Sequence, residues 1–307
     1  RAIRCRFDYV RGVVGVPAAN NEISDVFRAL GLGVTGETAQ SVDVAVPPFR
    51  RDLEREIDLV EEFARIHGLD QIPTPMPRAV VDPKADADAE VRSLRRLRDA
   101  LAGLGVSEIL NYSLVSDQQL DRFDPADRAE RIAIPRPISA DQSVLRTSLI
   151  PQVVETLGKN RAHQVEDAAL YEIGRVYRRA PAGGTTETTR LTIGLMGPVG
   201  RAGIDRRRAL EPSETFLWAK GLLEALLTAM RAGTWSLQPA SHPSLDSGAA
   251  VAITIDGQPA GALGLVPQRI RREWRLGDPV AVLDLDVAAL TRQALAVPSF
   301  HDIPAYP

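Results

Sequence analysis

Four carboxylates between positions 52 and 62 are the residues of this chain best suited to chemistry. Asp58, Glu61 and Glu62 have the i, i+3, i+4 spacing that puts side chains on one face of a helix. Asp52 lies close enough upstream to fold back toward the same end. Converging carboxylates repel one another unless a cation neutralises them. A few carboxylates with water are the ligands that a hard divalent cation such as Mg²⁺ prefers.

A second interpretation of the same residues needs no metal. Acidic side chains in the first turns of a helix interact favourably with its dipole, by about 0.3–1 kcal/mol each. Nearby arginines could also pair with them, and these are Arg50, Arg51, Arg55 and Arg65. The spacing alone therefore leaves two alternatives open, a metal site and a solvated, salt-bridged face.

The element that would position these carboxylates is the clearest helix in the sequence. From Arg55 onward, apolar residues recur at the mixed three- and four-residue spacing of an amphipathic helix. These residues are Ile57, Leu59, Val60, Phe63 and Ile66. Pro47 and Pro48 keep the preceding chain extended, and Gly68 stands where a helix ends in a left-handed cap.

Composition narrows the class of protein. The 307 residues are 44% hydrophobic and 25% charged, which is ordinary for a globular chain of two domains or one large one. The net charge of −3 does not by itself attract a nucleic-acid backbone. A single cysteine, Cys5, fits a reducing compartment. No apolar run is long enough to span a membrane. We therefore expect a cytoplasmic protein without membrane contacts.

Residues 1–75 are predicted to form a small α+β domain. Strand patterns at 3–7 and 41–46 flank a short amphipathic helix at 23–30, and the acidic helix follows. This order is compatible with a winged-helix-like module. Such modules often bind nucleic acid, but a helix that reads nucleic acid should be basic where this one is acidic. Direct binding through this helix is therefore not expected.

A proline-rich and then acidic stretch at residues 76–89 is predicted to be a linker. The second domain, residues 90–307, opens with a helix whose outer face is basic. That face carries Arg92, Arg95, Arg96 and Arg98. It is either solvated or turned toward a partner subunit or a nucleic-acid backbone.

The rest of the second domain is rich in strand patterns. They lie at 109–115, 132–134, 170–177, 191–196, 250–255, 260–265 and 281–286, with helices at 151–162 and 214–231. Asp256-Gly257 between two alternating runs indicates a hairpin. Residues 179–189 and 198–213 are predicted to be exposed loops. We expect an antiparallel sheet with helices on one side.

The sequence contains no recognisable pattern for phosphate cradling, dinucleotide binding or zinc ligation. Its four histidines are scattered along the chain, at His67, His163, His242 and His301. No serine or cysteine stands in a sequence context typical of a nucleophile.

The segment PFRRD at 48–52 with DLVEEFARIHGLDQIP at 58–73 resembles the beta subunit of bacterial phenylalanine–tRNA ligase. The family pattern is P-x-x-R-x-D-x5-D-L-x-E-E-x-x-R-x-x-G-Y-D-x-I-P, and this chain departs from it at Leu69, where the family has Tyr. The family places Mg²⁺ on the two Asp and two Glu, at the contact with the alpha subunit. The resemblance therefore implies a structural Mg²⁺ on Asp52, Asp58, Glu61 and Glu62.

The resemblance resumes in the second domain. The segments SVLRTSLIP at 143–151, LYEIGRVY at 170–177 and FLWAKGLLEALL at 216–227 are similar to family segments, and shorter matches follow at 242–244 and 261–267. In that family this region has the fold of a class II aminoacyl-tRNA synthetase core but is catalytically degenerate. A flanking set of helices on an antiparallel sheet is thus implied.

An incomplete ATP-binding motif in the sequence is consistent with this loss of catalytic activity. GRVYR at 174–178 is similar to the first part of a class II ATP-binding motif, but RAPAGG follows, without the acidic residue or His of that motif. Adenylyl transfer depends on charge clamps for phosphates. We therefore expect no catalytic or ATP-binding residue in this chain, and interpret Arg146, Arg175 and Arg178 as structural or interfacial.

The resemblance implies a central fragment of the beta subunit, without its N-terminal and C-terminal domains. The whole enzyme would be an (αβ)2 heterotetramer that uses ATP to join phenylalanine to tRNA(Phe). The partners would be the alpha subunit, a second beta subunit and, for the holoenzyme, tRNA. Two alternatives are a stand-alone nucleic-acid-binding module and a free-standing synthetase-like enzyme. Net acidity disfavours the first, and the incomplete ATP motif disfavours the second.

Overall fold

The computed structural model describes residues 1–78, 87–201, 203–292 and 294. Contacts between Cα atoms divide the chain into two compact units, unit 1 before and unit 2 after a division that follows Pro83. Each unit has buried apolar clusters of its own. Most of the predicted linker, residues 76–89, lies outside the described residues. Within the described residues, no helix is long and apolar enough to cross a bilayer.

The described residues of unit 1 form a three-stranded antiparallel sheet and three α-helices. In chain order its elements are β1 (Ala2–Arg6), α1 (Phe7–Val14), α2 (Asn20–Ala29), β2 (Gly33–Glu37), β3 (Ser41–Ala45) and α3 (Glu56–His67). The strand order is β1-β3-β2. Because side chains alternate along a strand, Val42 and Val44 both face inward. They share one core with Phe27 and Phe63.

The sequence predicted β1, α2, β3 and α3 of unit 1 but missed α1 and β2. The α1 sequence FDYVRGVV is short and rich in valine, which favours strands, and its helical face shows only in the buried Phe7, Val10 and Val14. The β2 sequence GVTGE carries two glycines and no buried residue. The α+β class is confirmed, whereas the winged-helix-like arrangement stays a prediction.

The part of unit 2 that the structure describes contains nine strands, seven of which form one sheet. In chain order they are β4 (Ser107–Glu108), β5 (Leu114–Val115), β6 (Val144–Leu145), β7 (Ala168–Arg179), β8 (Thr185–Met196), β9 (Trp235–Pro239), β10 (Ala250–Ile255), β11 (Gln258–Leu265) and β12 (Val280–Asp286). The large sheet has the order β4-β7-β8-β12-β11-β10-β9, and β5 pairs with β6. The sheet is mixed and not purely antiparallel as predicted, because β4 runs parallel to β7.

Helices pack on both faces of this sheet. They are α4 (Ala87–Gly103), α5 (Asp117–Asp121), α6 (Ile150–Ala162), α7 (Pro212–Ala229), α8 (Gln268–Glu273) and α9 (Val287–Thr291). In β8, Leu191 and Ile193 share a core with leucines of α4 and α7. The intervening Gly194 faces α6, since a Cβ there would lie 2.7 Å from Val153. The expectation of helices on one side was wrong, because periodicity shows which face of a helix is buried but not which face of the sheet receives it.

The loop predicted at residues 179–189 is mostly strand. β7 and β8 pair in register from Ala168↔Met196 to Arg179↔Thr185. The turn contains Gly183 and Gly184, whose positive φ values of 91° and 89° suit glycine. The first residues of β8, TTETT, were not predicted as a strand because they are polar and largely exposed, so they show no alternation of apolar and polar residues. The hairpin predicted at Asp256-Gly257 is confirmed, with positive φ at both residues.

Replacing leucines on the two sides of α7 tests this packing. Leu223 is fully buried and Leu217 is 62% exposed. We expect Leu223→Ala to lower the free energy of unfolding of unit 2 by about 2–5 kcal/mol, because it leaves a cavity under the helix. Leu217→Ala should change it by less than about 0.5 kcal/mol. Urea denaturation measures both, and equal effects would contradict the packing described.

Candidate functional site

Helix α3 positions three of the four predicted metal ligands. It begins at Glu56, after Arg55 in an extended conformation. Asp58 fixes this start, because its Oδ2 accepts the backbone N–H of Glu54 at 2.7 Å and of Arg55 at 2.6 Å. Glu61 and Glu62 follow one turn later, and Gly68 ends the helix with a positive φ of 105°.

Arg50 lies between two of the predicted ligands. Its Nε is 3.0 Å from Asp52 Oδ1, and its Nη1 is 3.0 Å from Glu62 Oε2. Arg65, one turn along α3, donates to the same Glu62 oxygen at 2.8 Å. Glu62 is only 6% exposed, so its carboxylate depends on these donors. The two arginines thus neutralise a nearly buried charge.

These contacts lower the pKa of three of the four carboxyls. Hydrogen bonds from Arg50 lower the pKa of Asp52 and of Glu62, with Arg65 adding to the effect on Glu62. Hydrogen bonds from the backbone N–H groups of Glu54 and Arg55 lower the pKa of Asp58. All three groups are therefore ionised at neutral pH.

The donor chemistry of the four carboxylates suits Mg²⁺, but their arrangement does not. Asp52 and Glu62 share one guanidinium, Asp58 faces the helix start, and Glu61 is exposed. In the part of the chain that the structure describes, no group of three or more Asp, Glu, His or Cys is placed to hold a metal ion. The described arrangement is the salt-bridged one, and the metal site stays a prediction.

A buried ion pair in unit 2 joins two of the sequence motifs. Arg146, just before α6, and Glu172 of β7 lie with Nη1 and Oε1 2.6 Å apart, and their side chains are 3% and 0% exposed. Arg146 Nε also donates to the carbonyl of Arg175 at 2.9 Å. The guanidinium crosses β7 at Gly174, where a Cβ would collide with Nη2. This explains the glycine in the segment LYEIGRVY.

Amides complete this network. Asn111 Nδ2 donates to Glu172 Oε2 at 2.7 Å, and Gln152 Oε1 accepts from Arg146 Nη1 at 3.1 Å. Gln152 Nε2 in turn donates to the carbonyl of Tyr112 at 2.6 Å. Two loops, α6 and β7 are thereby held together. Sequence reasoning missed these partners, because no periodic pattern links amides so far apart in the chain.

A second network that sequence reasoning missed surrounds Arg131, whose side chain is 3% exposed. Its Nη2 lies 2.7 Å from Asp127 Oδ1, and its Nη1 lies 2.9 Å from Asp117 Oδ1. The i, i+4 spacing of Asp127 and Arg131 was the available signal. It stood outside any apolar pattern and gave no reason to expect burial.

Arg175 and Arg178 lie on the β7–β8 hairpin and are paired with carboxylates of the chain itself. Arg175 Nη1 is 3.0 Å from Glu187 Oε2 on the facing strand. Arg178 pairs with Glu130 and also donates to the carbonyl of Thr147 at 3.3 Å. The structure thus places Arg146, Arg175 and Arg178 in ion pairs within unit 2.

Replacing Arg50 tests the arrangement around the acidic helix. We expect Arg50→Met to lower the free energy of unfolding of unit 1 by about 1–3 kcal/mol, because Glu62 then stays nearly buried with one donor fewer. The neighbouring Arg51 is exposed. Arg51→Met is therefore the matched control and should cost less than about 0.5 kcal/mol. Chemical denaturation of both variants at neutral pH measures the difference.

The same variants give a pH dependence of defined sign. A carboxyl whose pKa is lowered by folding adds stability that is present at neutral pH and is lost as the pH falls through its folded pKa. The gap in unfolding free energy between wild type and Arg50→Met should therefore narrow in acid, as Asp52 and Glu62 become protonated. A gap that widens in acid would contradict the role given to Arg50.

Comparison with solved structures defines the class of fold. Two structures of the pyrrolysyl-tRNA synthetase from Desulfitobacterium hafniense match with TM-scores of 0.53 and 0.52, at 15% and 14% identity. They cover 89% and 92% of this chain, which corresponds to 86% and 95% of those chains. The fold is therefore that of a class II aminoacyl-tRNA synthetase, as the sequence resemblance implied.

Family models then identify the family. The tRNA synthetase B5 domain matches residues 3–69, and the phenylalanyl-tRNA synthetase beta chain CLM domain matches residues 72–287. The chain belongs to the phenylalanyl-tRNA synthetase beta chain family, which confirms the resemblance. Phenylalanine–tRNA ligase beta subunits from Anaeromyxobacter dehalogenans and Syntrophus aciditrophicus are 33% and 32% identical over 99% of this chain. The chain spans 38% of the length of each of these relatives.

Proposed function

We propose that this chain serves phenylalanine–tRNA ligase as part of a beta subunit that packs against a catalytic alpha subunit and carries out no chemistry itself. The family match over both units carries this proposal. The burial of Arg146 in its ion pair with Glu172 supports it, because phosphate clamps need cations that are open to a substrate. Arg175 and Arg178 are more exposed and pair with Glu187 and Glu130.

Exposed apolar side chains support the packing role. In unit 2, Leu110 is 88% exposed, Tyr112 77%, Leu217 62% and Trp218 44%. Contiguous apolar surface marks an interaction site, and Leu217 and Trp218 line one apolar hollow together. The alpha subunit is the partner that we propose for them, within an (αβ)2 enzyme that contains a second beta subunit. That enzyme would use ATP to join phenylalanine to tRNA(Phe), in the cytoplasm where protein synthesis takes place.

The basic face of α4 divides into two parts. Arg96 donates to the carbonyl of Ala229 at 2.9 Å, and Arg98 lies 3.0 Å from Glu108. Arg92 and Arg95 are exposed. These two are therefore the members of the face that a partner subunit or the tRNA backbone would meet. The alternative of a stand-alone nucleic-acid-binding module is not favoured, since the family match extends over unit 2 as well.

Exchange kinetics test the absence of chemistry. We expect the chain alone to give no phenylalanine-dependent exchange between ATP and pyrophosphate, and a complete phenylalanine–tRNA ligase of a relative provides the positive control. Exchange by the chain that survives repeated purification and depends on phenylalanine would overturn the proposal.

For the metal, we retain Asp52, Asp58, Glu61 and Glu62 as the proposed ligands of a structural Mg²⁺ at the alpha-subunit contact. Arg50 would have to leave two of these oxygens, because a guanidinium and a cation compete for the same carboxylates. The metal would order a subunit contact and would not activate a substrate.

Manganese titration tests this competition. We expect Arg50→Gln to bind Mn²⁺ more tightly than the wild-type chain, because the guanidinium no longer competes for the carboxylates. If this competition costs about 1.4 kcal/mol of binding free energy, the affinity should rise about tenfold. Arg51→Gln should bind like the wild type. Electron paramagnetic resonance of free Mn²⁺ measures both, and equal binding by all three proteins would exclude Arg50 as the competitor.

A further inference from the structure

Helix α7 has apolar residues on two faces. The residues of one face are buried and belong to the core of unit 2. The second face carries Leu217 and Trp218, whose exposed fractions are 62% and 44%, and Gly221 and Ala225 continue it at four-residue spacing. A helix that is apolar on both faces is typically buried on both. The second face is therefore expected to be covered by something outside the described part of this chain.

A hollow of about 520 Å³ lies along this second face. Its other walls come from the segment after α4, from β7 and β8, and from the loop after β8, and their residues are apolar. Among the described residues of the lining, Glu214 alone carries a charge. Its carboxylate is already held, by Arg201 Nε at 2.7 Å and by Arg208 Nη2 at 3.2 Å. The hollow thus suits an apolar, uncharged occupant.

Trp218 is held in place before any occupant arrives. The loop after β8 crosses its ring at Gly200, where a Cβ would collide with the indole. The next residue of that loop, Arg201, has a side chain that is only 5% exposed and ties the loop to α7 through Glu214. Tryptophan is enriched among the residues that anchor protein interfaces. A fixed anchor loses less conformational freedom on binding than a mobile one.

Gly221 leaves a gap in the wall of the hollow. It lies in the middle of α7, where glycine destabilises a helix relative to alanine. A Cβ at Gly221 would meet nothing within 4 Å apart from the helix itself. By contrast, Gly158 of α6 makes room for Trp274 of the same chain, since a Cβ there would lie 2.8 Å from Trp274 Cβ. The gap at Gly221 is therefore open to a partner, whose backbone can come close to α7 at this position.

We propose that the alpha subunit lays one of its helices into this hollow and crosses α7 at Gly221, beside Trp218. The inference rests on the proposed function, which makes the alpha subunit the partner of this surface. A hollow of 520 Å³ holds more than one side chain, and an amphipathic helix supplies several from one face at three- and four-residue spacing. Where a side chain is missing, two helix axes can approach to about 8 Å.

Thiol protection locates the crossing. Gly221→Cys places a thiol at the proposed contact, and Cys5, the single cysteine of the chain, is fully buried. We expect iodoacetamide to alkylate the new thiol readily in the chain alone, and at least about tenfold more slowly when the alpha subunit is bound. Gly12 of α1 is also an exposed helical glycine with open space around it. Gly12→Cys is therefore the matched control and should stay reactive in the complex.

Filling the gap tests the close approach. We expect Gly221→Leu to raise the melting temperature by about 1–4 °C, because leucine favours a helix and meets no neighbour here. The same variant should bind the alpha subunit at least about tenfold more weakly, since the leucine occupies the space of the crossing helix. These opposite signs separate the effect from misfolding. Gly12→Leu should bind like the wild type. Biolayer interferometry with immobilised alpha subunit measures the affinities.

The outcomes separate this inference from the proposed function. A wild-type chain that binds the alpha subunit, while Gly221→Leu binds equally well and the thiol at position 221 stays reactive, would overturn the inference and leave the proposed function standing. A folded wild-type chain that binds no alpha subunit would overturn both. Protection of the thiol in the chain alone, rising with the concentration of the chain, would show that a second copy fills the hollow and would overturn the inference.

Discussion

Arg146 and Glu172 form an ion pair that is almost completely buried, and groups from two loops, α6 and β7 of unit 2 satisfy it. Two charges removed from water destabilise a protein by several kcal/mol unless their geometry and hydrogen bonds are good. Asn111, Gln152 and the carbonyl of Arg175 provide those bonds. Loss of either charge would leave its partner buried alone, at about 3–5 kcal/mol. The pair therefore fixes where α6 meets β7.

This constraint also determines what Arg146 can do. A guanidinium that holds a strand and a helix together is not open to a phosphate. Arg131 is used in the same way, with three aspartates around it. Unit 1 shows a more exposed version, in which Arg50 joins a loop carboxylate to one on α3. In both units, arginine–carboxylate pairs stabilise the fold. The exposed apolar surface at Leu217 and Trp218 is the one suited to a partner.

The sequence predicted the elements whose patterns are strong. Helices α3, α4 and α7 have long apolar periodicities, and the Asp256-Gly257 turn has a specific chemistry. Weak patterns failed, as in the glycine-containing β2 and the polar start of β8. The family resemblance identified the fold, but periodicity did not show that α6 covers the second face of the sheet. The packing of α6 on this face depends on Gly194, because a Cβ at that position would collide with Val153 of α6. This contact exists only in the folded structure.

The candidate sites were predictable as residue types but not as contacts. Asp52 and Glu62 were expected to need a cation, and Arg50 was among the arginines named for it. Which cation they hold depends on the path of the loop before α3, which no local pattern encodes. Arg146 was interpreted as structural or interfacial because the rest of an ATP site was missing. Its partner Glu172 could not be inferred, since pairing across a strand at Gly174 is a property of the folded sheet.

Association with an alpha subunit tests the central claim most directly. The chain would be co-expressed with the alpha subunit of a bacterial phenylalanine–tRNA ligase, and the mass of the product measured by size-exclusion chromatography with light scattering. The account predicts one complex containing both chains. It also predicts that Trp218→Glu weakens this complex while the folded variant Arg51→Met does not. Separate elution of the two folded chains would contradict the account.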